Sequence, residues 1–252
     1  MADYFVAAMK GVILSGNPNV QLIDITHDIP AHDIQAGAFV LLNSYDAFPA
    51  GTIHVGVVDP GVGSERRPLL IAANNQFFVG PDNGLFSYVC ERSPALSVFH
   101  LTNSDYFRHP VSSTFNGRDI FAPVAAALST GVKPESLGTR TPDFVRLLSL
   151  KAETSATGEL SGRIIHIDRF GNCITNITRT ELTADHIEAG AKLSINTWIV
   201  TSFRSFFAEA TDRDDEIFAV WGSAGFLEIA VANASAAKCL NVKRDDVVVV
   251  LS

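Results

Sequence analysis

The chain has 252 residues, of which 47% are hydrophobic, enough to bury a full core in one domain or in two. Its formal net charge of −8, from 27 acidic against 19 basic residues, argues against nucleic acid or an anionic membrane as partner. Three cysteines without CxxC spacing and seven histidines without HxH or HxxxH spacing give neither a disulfide framework nor a dedicated metal site.

No apolar run approaches the ~20 residues of a membrane span. Asp3 stands where a signal peptide would carry lysine. The expectation is a soluble protein of a reducing, cytoplasmic compartment.

Asp3 is placed to cap a helix over about Tyr4 to Ser15, which Asn17-Pro18-Asn19 ends. Val20 to Thr26 alternates like a strand, and Asp33 opens a second helix through about Ser44. Thr52 to Val58 is β-branched and apolar apart from His54, the pattern of a buried strand. It breaks at Asp59-Pro60-Gly61, and the loop carries Arg66 and Arg67. An acid at the end of a buried strand is either a turn residue capping its own backbone or part of a site.

Strands follow over Pro68–Ala73, Phe77–Val79 and Leu96–Leu101, with a turn at Pro81-Asp82-Asn83-Gly84 and a helix from Leu85. Gly117 to Ser129 reads as a helix that Pro123 kinks or begins. The alternation predicts an α/β domain over residues 1–150, a mostly parallel sheet flanked by helices. After about Leu150 the pattern changes to short strands: Ser161–Asp168, Cys173–Ile177, Ala191–Val200, Ile217–Trp221, Phe226–Val231 and Val247–Leu251. With one helical stretch near Glu181–Glu188, residues 151–252 read as a smaller antiparallel, barrel-like β domain.

Seven segments carry a resemblance. They are Met9-Lys-Gly-Val-Ile-Leu, Ile23-Asp-Ile-Thr-His-Asp-Ile-Pro, Val57-Val-Asp-Pro-Gly-Val-Gly-Ser-Glu-Arg, Gly80-Pro-Asp-Asn-Gly-Leu, Thr114-Phe-Asn-Gly-Arg-Asp-Ile-Phe-Ala-Pro, Asp168-Arg-Phe-Gly-Asn and Gly222-Ser-Ala-Gly-Phe-Leu-Glu-Ile-Ala. In this order they resemble the S-adenosyl-L-methionine hydroxide adenosyltransferases, adenosine-forming hydrolases related to fluorinase and chlorinase. The resemblance implies that water or hydroxide displaces methionine from the ribose C5′ of S-adenosylmethionine, which is substrate, with no further cofactor.

It also implies roles. Asp59 and Arg66 match the acid and the arginine around the attacking water, and Asn116 stands where the hydrolases place a histidine. An amide orients a water but does not take its proton. Arg118 and Asp119 are expected to form a structural ion pair. Asp3 matches the acid that holds the methionine ammonium, and His32 stands where relatives place an aromatic wall. Phe170 and Asn172 match the adenine contacts, Phe206 or Phe207 covers the adenine, and Ser223 lies at the methionine end. The family's first strand, whose Asp grips the ribose hydroxyls, has no counterpart in the sequence, which starts at the following helix. Family members are trimers with sites at subunit interfaces, so a homotrimer is implied.

Two rivals concern function. Halide-using relatives carry Tyr and a small hydroxylic residue where this chain has Asp59 and Val62, and a carboxylate there repels halide. A fold that binds adenosine or S-adenosylmethionine without turning it over is favoured by Asn116 and by the unmatched first strand. A dinucleotide-dependent dehydrogenase is excluded because no GxGxxG follows the first strand.

Overall fold

The structure is a computed structural model and describes residues 3–209 and 216–251. It consists of two compact units, Met1–Ser149 and Leu150–Ser252. The first holds helices α1 (Phe5–Gly16), α2 (Ile34–Leu42), α3 (Ser87–Glu91), α4 (Ala122–Ser129) and α5 (Pro134–Leu137). Its strands are β1 (Ile53–Val55), β2 (Pro68–Ala73), β3 (Gln76–Pro81), β4 (Leu96–Leu101) and β5 (Gly138–Thr141), in the order β1-β3-β2-β4-β5.

The sheet is helix-covered, as the alternation predicts, but it is mostly antiparallel. Only β1 runs parallel to its neighbour β3; the β2–β3, β2–β4 and β4–β5 pairs are antiparallel. A parallel crossover needs a dozen residues or more, and only Asn74-Asn75 separates β2 from β3. Both asparagines sit at positive φ (53° and 59°), so the connection is a tight hairpin.

Side-chain alternation gives each face its cover. Leu70, Val79 and Phe99 pack with Phe121, Val124 and Leu128 at α4. Phe78 points the other way, against Tyr45 and Phe86, and stacks on the buried His54 at 4.9 Å. That His54 tolerates burial because Gln76 Oε1 meets its Nε2 at 2.9 Å, while burial pushes its pKa down.

Two local expectations change. Val20–Thr26 forms no strand: Val20 and Leu22 pack beside α1 and α4, and Ile23 and Ile25 stay exposed. Asp3 does not cap α1, whose N-cap is Tyr4 with no side-chain bond; Phe5 instead meets Phe115 edge-on at 4.9 Å. The helix expected from Gly117 opens as one π turn, Gly117–Phe121, and Pro123 falls in the first turn of α4, where its missing N–H costs little. Asp33 does cap α2, accepting from the Ala36 amide at 2.9 Å.

The second unit is one curled sheet. Its strands are β6 (Glu153–Thr154), β7 (Leu160–Ile167), β8 (Cys173–Thr178), β9 (Lys192–Ile195), β10 (Trp198–Val200), β11 (Ser202–Arg204), β12 (Ile217–Trp221), β13 (Phe226–Val231) and β14 (Val247–Leu251). The order β10-β9-β14-β7-β8-β13-β12-β11, with β6 on β7, nearly closes into a barrel. All pairs are antiparallel except β11 with β12. Inside lie Ile164, Cys173, Ile177, Leu193, Ala219, Leu227, Ile229 and Val248, all fully buried. Short helices α6 (Ala184–Glu188) and α7 (Ala236–Cys239) lie between strands. Among the described residues no helix is long and apolar enough to cross a membrane.

Candidate active site

The loop after β1 is braced before it reaches Asp59. The Gly56 amide still bonds Val79 of β3 at 3.1 Å, and the Asn83 amide donates to the Val58 carbonyl at 2.7 Å. The Pro81–Gly84 turn is thus a support for the end of β1. Arg67 anchors the loop's other end on Asp82, through Nε at 2.9 Å and Nη2 at 2.7 Å. Between them Gly63 sits at φ +81°, and a Cβ there would lie 2.5 Å from the Ser113 carbonyl oxygen. Only glycine lets the two loops touch at this point.

That contact brings the two loops together in one cluster. Arg66 turns back on Asp59: Nε donates to Oδ1 at 2.8 Å and Nη2 to Oδ2, a two-pronged pair. Nη2 also donates to Asn116 Oδ1 at 2.7 Å, and Asn116 Nδ2 donates to the Ser112 carbonyl at 3.0 Å. The Asp59 and Arg66 side chains are 5% and 9% exposed, so little water screens the pair. The guanidinium also lies over Phe121, 5.6 Å from its ring centre.

Asp119, fully buried, holds the Ser112–Asn116 loop. It accepts from the Ser112 amide at 2.9 Å, from Arg118 at 2.7 and 2.9 Å, and from Arg108 at 3.3 Å. Burial opposes its ionisation, but these donors overcome that and hold its carboxyl below the usual range. Arg118 and Asp119 therefore form the structural ion pair the sequence predicts.

The second unit presents a different cluster, on the loop between β7 and β8. Asp168 Oδ1 accepts from the Phe170 and Asn172 amides, both at 2.9 Å, and its Oδ2 accepts from Asn172 Nδ2 at 3.0 Å. Gly171 at φ +87° lets the loop seat against Ser235, whose Oγ would lie 2.0 Å from a Cβ there. Phe170 is 66% exposed, whereas Asn172 is buried. Glu228 of β13 joins this cluster. The nearby Asp168 charge adds to burial in pushing its pKa up to about 7, and its Oε1 lies 1.8 Å from where a Cβ on Gly222 would be.

Residues 1–138 match the SAM hydroxide adenosyltransferase N-terminal domain, and residues 162–249 match the C-terminal domain of the same enzymes. The chain belongs to the SAM hydroxide adenosyltransferase family. It is 38% identical over 251 residues to the (R)-S-adenosyl-L-methionine hydrolase of Methanocaldococcus jannaschii, covering 94% of this chain and 87% of that one. To the hydrolase of the same name from Thermus thermophilus it is 33% identical over 250 residues, covering 96% and 92%. Its fold is similar to the crystal structure of an uncharacterized conserved protein from Thermotoga maritima, with a TM-score of 0.88 at 30% identity, covering 100% and 97%.

Of the residues that the family resemblance singles out, Asp59, Arg66 and Asn116 lie in one cluster of the first unit. Asp3 is exposed just before α1, next to the Tyr4 and Phe5 rings that pack on Phe115. His32 is exposed at φ +69° in the turn leading to α2. In the second unit Phe170 and Asn172 share the β7–β8 loop, and Ser223 lies exposed in the β12–β13 turn. Phe206 and Phe207 follow β11, 57% and 47% exposed, and Phe207 meets Phe218 at 6.2 Å. Two residues escaped the sequence reading as individuals, Asp168 and Glu228. The signal for Glu228 was a lone acid inside the apolar run Phe226-Leu-Glu-Ile-Ala230.

Proposed function

We propose that this protein hydrolyses S-adenosyl-L-methionine to adenosine and L-methionine. The oxygen of a water or hydroxide attacks ribose C5′, the C5′–S bond breaks, and its electron pair neutralises the sulfonium as methionine leaves. The leaving group already carries a positive charge, so no acid has to protonate it. What the reaction asks of the protein is a nucleophile positioned in line with the breaking bond and a destination for its proton.

The observation that carries this reading is the convergence of Asp59 and Arg66, from the loop after β1, with Asn116, from a loop far along the chain, into one nearly buried cluster. Asp59 accepts a hydrogen bond from the attacking water, with lone pairs that Arg66 leaves unused, and takes its proton as the C5′–O bond forms. Arg66 stabilises negative charge on that oxygen as its proton departs. Asn116 is a positioning residue: its Oδ1 is given to Arg66 and its amide to Ser112, which fixes the guanidinium.

Recognition falls to the second unit, where the exposed Phe170 ring stacks on adenine, the Asn172 amide reads its edge and Ser223 takes the methionine end. Asp3 pairs with the methionine ammonium, and His32 borders the ribose. The exposed rings of Phe170, Phe206 and Phe207 support a homotrimer whose sites form between subunits. Light scattering on the purified protein tests the assembly.

The deciding experiment is incubation with S-adenosylmethionine in halide-free buffer containing chelator, followed by chromatography. Adenosine and methionine are expected in equal amounts. A 5′-halo-adenosine on adding salt, or activity that returns only with metal, overturns the reading.

A further inference from the structure

Helices α1 and α4 touch through small residues. A Cβ on Gly16 would lie 2.6 Å from that of Ala126, so the two helices approach closely there. Beside the contact stand only Ser15 and Ala127, and no large side chain fills the surface above it. The result is a trough of about 410 Å³, walled further by Val12 and Phe107. Small-molecule sites typically enclose about 300–1,000 Å³, so the trough is of that size. Its two hydroxyls are already spent, Ser15 Oγ on the Gly11 carbonyl and Thr130 Oγ1 on the Ala127 carbonyl, each at 2.8 Å.

Arg108 is the only charged residue lining the trough among the described residues. Its guanidinium is half-exposed and makes one side-chain hydrogen bond among the described residues, from Nη1 to Asp119 Oδ1 at 3.3 Å. That bond is long because the acceptor is already taken: Arg118 holds Asp119 by both oxygens, at 2.7 and 2.9 Å, and the Ser112 amide adds a third bond at 2.9 Å. One carboxylate thus faces two guanidinium groups. The surplus positive charge falls on Arg108, the more loosely held of the two, whose Nε and Nη2 hydrogens remain unspent.

We propose that the trough binds a small free carboxylate with an apolar body, its head on Arg108 and its body over Ala126 and Ala127. A planar carboxylate meets the edge of a guanidinium through two parallel hydrogen bonds, which the free Nε and Nη2 supply. A dianion would call for a second cation, and none lines the trough among the described residues. A neutral ligand would cover the apolar walls but leave the guanidinium unpaired. An anionic membrane surface is disfavoured by the chain's net charge of −8.

The test is titration of the full-length protein, labelled with ¹³C at alanine methyls, with hexanoate and with hexanamide, which has the same body and no charge. Hexanoate is expected to shift the Ala126 and Ala127 methyls saturably and to bind at least ~10-fold more tightly than hexanamide. Arg108→Gln should abolish that preference. Ser15→Phe, which fills the trough from an exposed position, should weaken both ligands ~10-fold or more. No saturable shift at these two methyls, or hexanamide binding as tightly as hexanoate, overturns the proposal. So does a preference that survives Arg108→Gln. If that variant does not fold, Ser15→Phe decides, and an unchanged hexanoate Kd there refutes the trough as the site.

Discussion

Two asparagines in this molecule are used in opposite ways. Asn116 gives its oxygen to Arg66 and its nitrogen to the Ser112 carbonyl, facing inward on both sides. Asn172 gives one hydrogen to Asp168, and its oxygen has no hydrogen-bond partner among the described residues. The first belongs to a cluster whose polar groups brace one another around a nearly buried ion pair. The second belongs to a rigid loop that presents an unused acceptor next to an exposed ring. A reacting centre gains from preorganised charge, and a recognition surface from unspent hydrogen-bonding capacity. Changes in the first region should therefore be felt in turnover, and changes in the second in affinity.

The largest effect expected is that of Asp59→Asn, which keeps the shape and removes the charge. Turnover should fall by ~10³-fold with the Kd for S-adenosylmethionine within a few-fold, read by adenosine release and calorimetry. Equal losses in both would make Asp59 a binding group and dissolve the contrast. Phe170→Ala probes the other region. Loss of a stacking ring should weaken adenosine ~10- to 100-fold and leave single-turnover rates nearly unchanged. Asn116→Ala sharpens the first region from within: freeing the Arg66 guanidinium should lower turnover about 10-fold without moving Kd. A change in Kd alone would place Asn116 against substrate.

The effect read in stability rather than in function concerns Glu228, whose pKa in the folded protein is raised to about 7 by burial and the Asp168 charge, above its ordinary 4.5. Between those values the folded state binds more protons than the unfolded one, so this group lowers stability as pH rises through the window. At about 1.4 kcal/mol per pH unit, the loss is on the order of a few kcal/mol, complete above pH ~7. Glu228→Gln should remove it, so that the variant gains several degrees in Tm relative to wild type between pH 4 and pH 8. An equal pH dependence in both proteins would show that Glu228 is solvated.

Much of this was legible in the sequence, for definable reasons. β2 follows from an uninterrupted apolar run and β4 from one broken only by Ser97 and His100, and Asp33 announces α2 because its side chain caps locally. Asp59 and Arg66 could be paired because the six residues between them, two of them glycine, let the chain double back. Strand direction was not legible from alternation alone; it lay in Asn74-Asn75, two residues that can only turn. The Val20–Thr26 stretch misled because an alternating pattern also fits an extended segment with some side chains pressed on helices and others in water. In the sequence Asp168 stands only at the end of the Ser161–Asp168 strand, and nothing local says that its second oxygen reaches the Asn172 side chain.

The seating of Gly171 against Ser235 has a consequence for how this sequence can vary. The φ of +87° strains any other residue at 171, and an added Cβ, 2.0 Å from Ser235 Oγ, would collide, which ties the two positions together. Among homologues, a bulkier residue at 235 should appear only where the β7–β8 loop has changed length, while the exposed position 170 drifts more freely among flat rings. In a directed library aimed at new nucleobases, 171 and 235 are the pair to leave alone, and diversity is best placed at 168, 170 and 172.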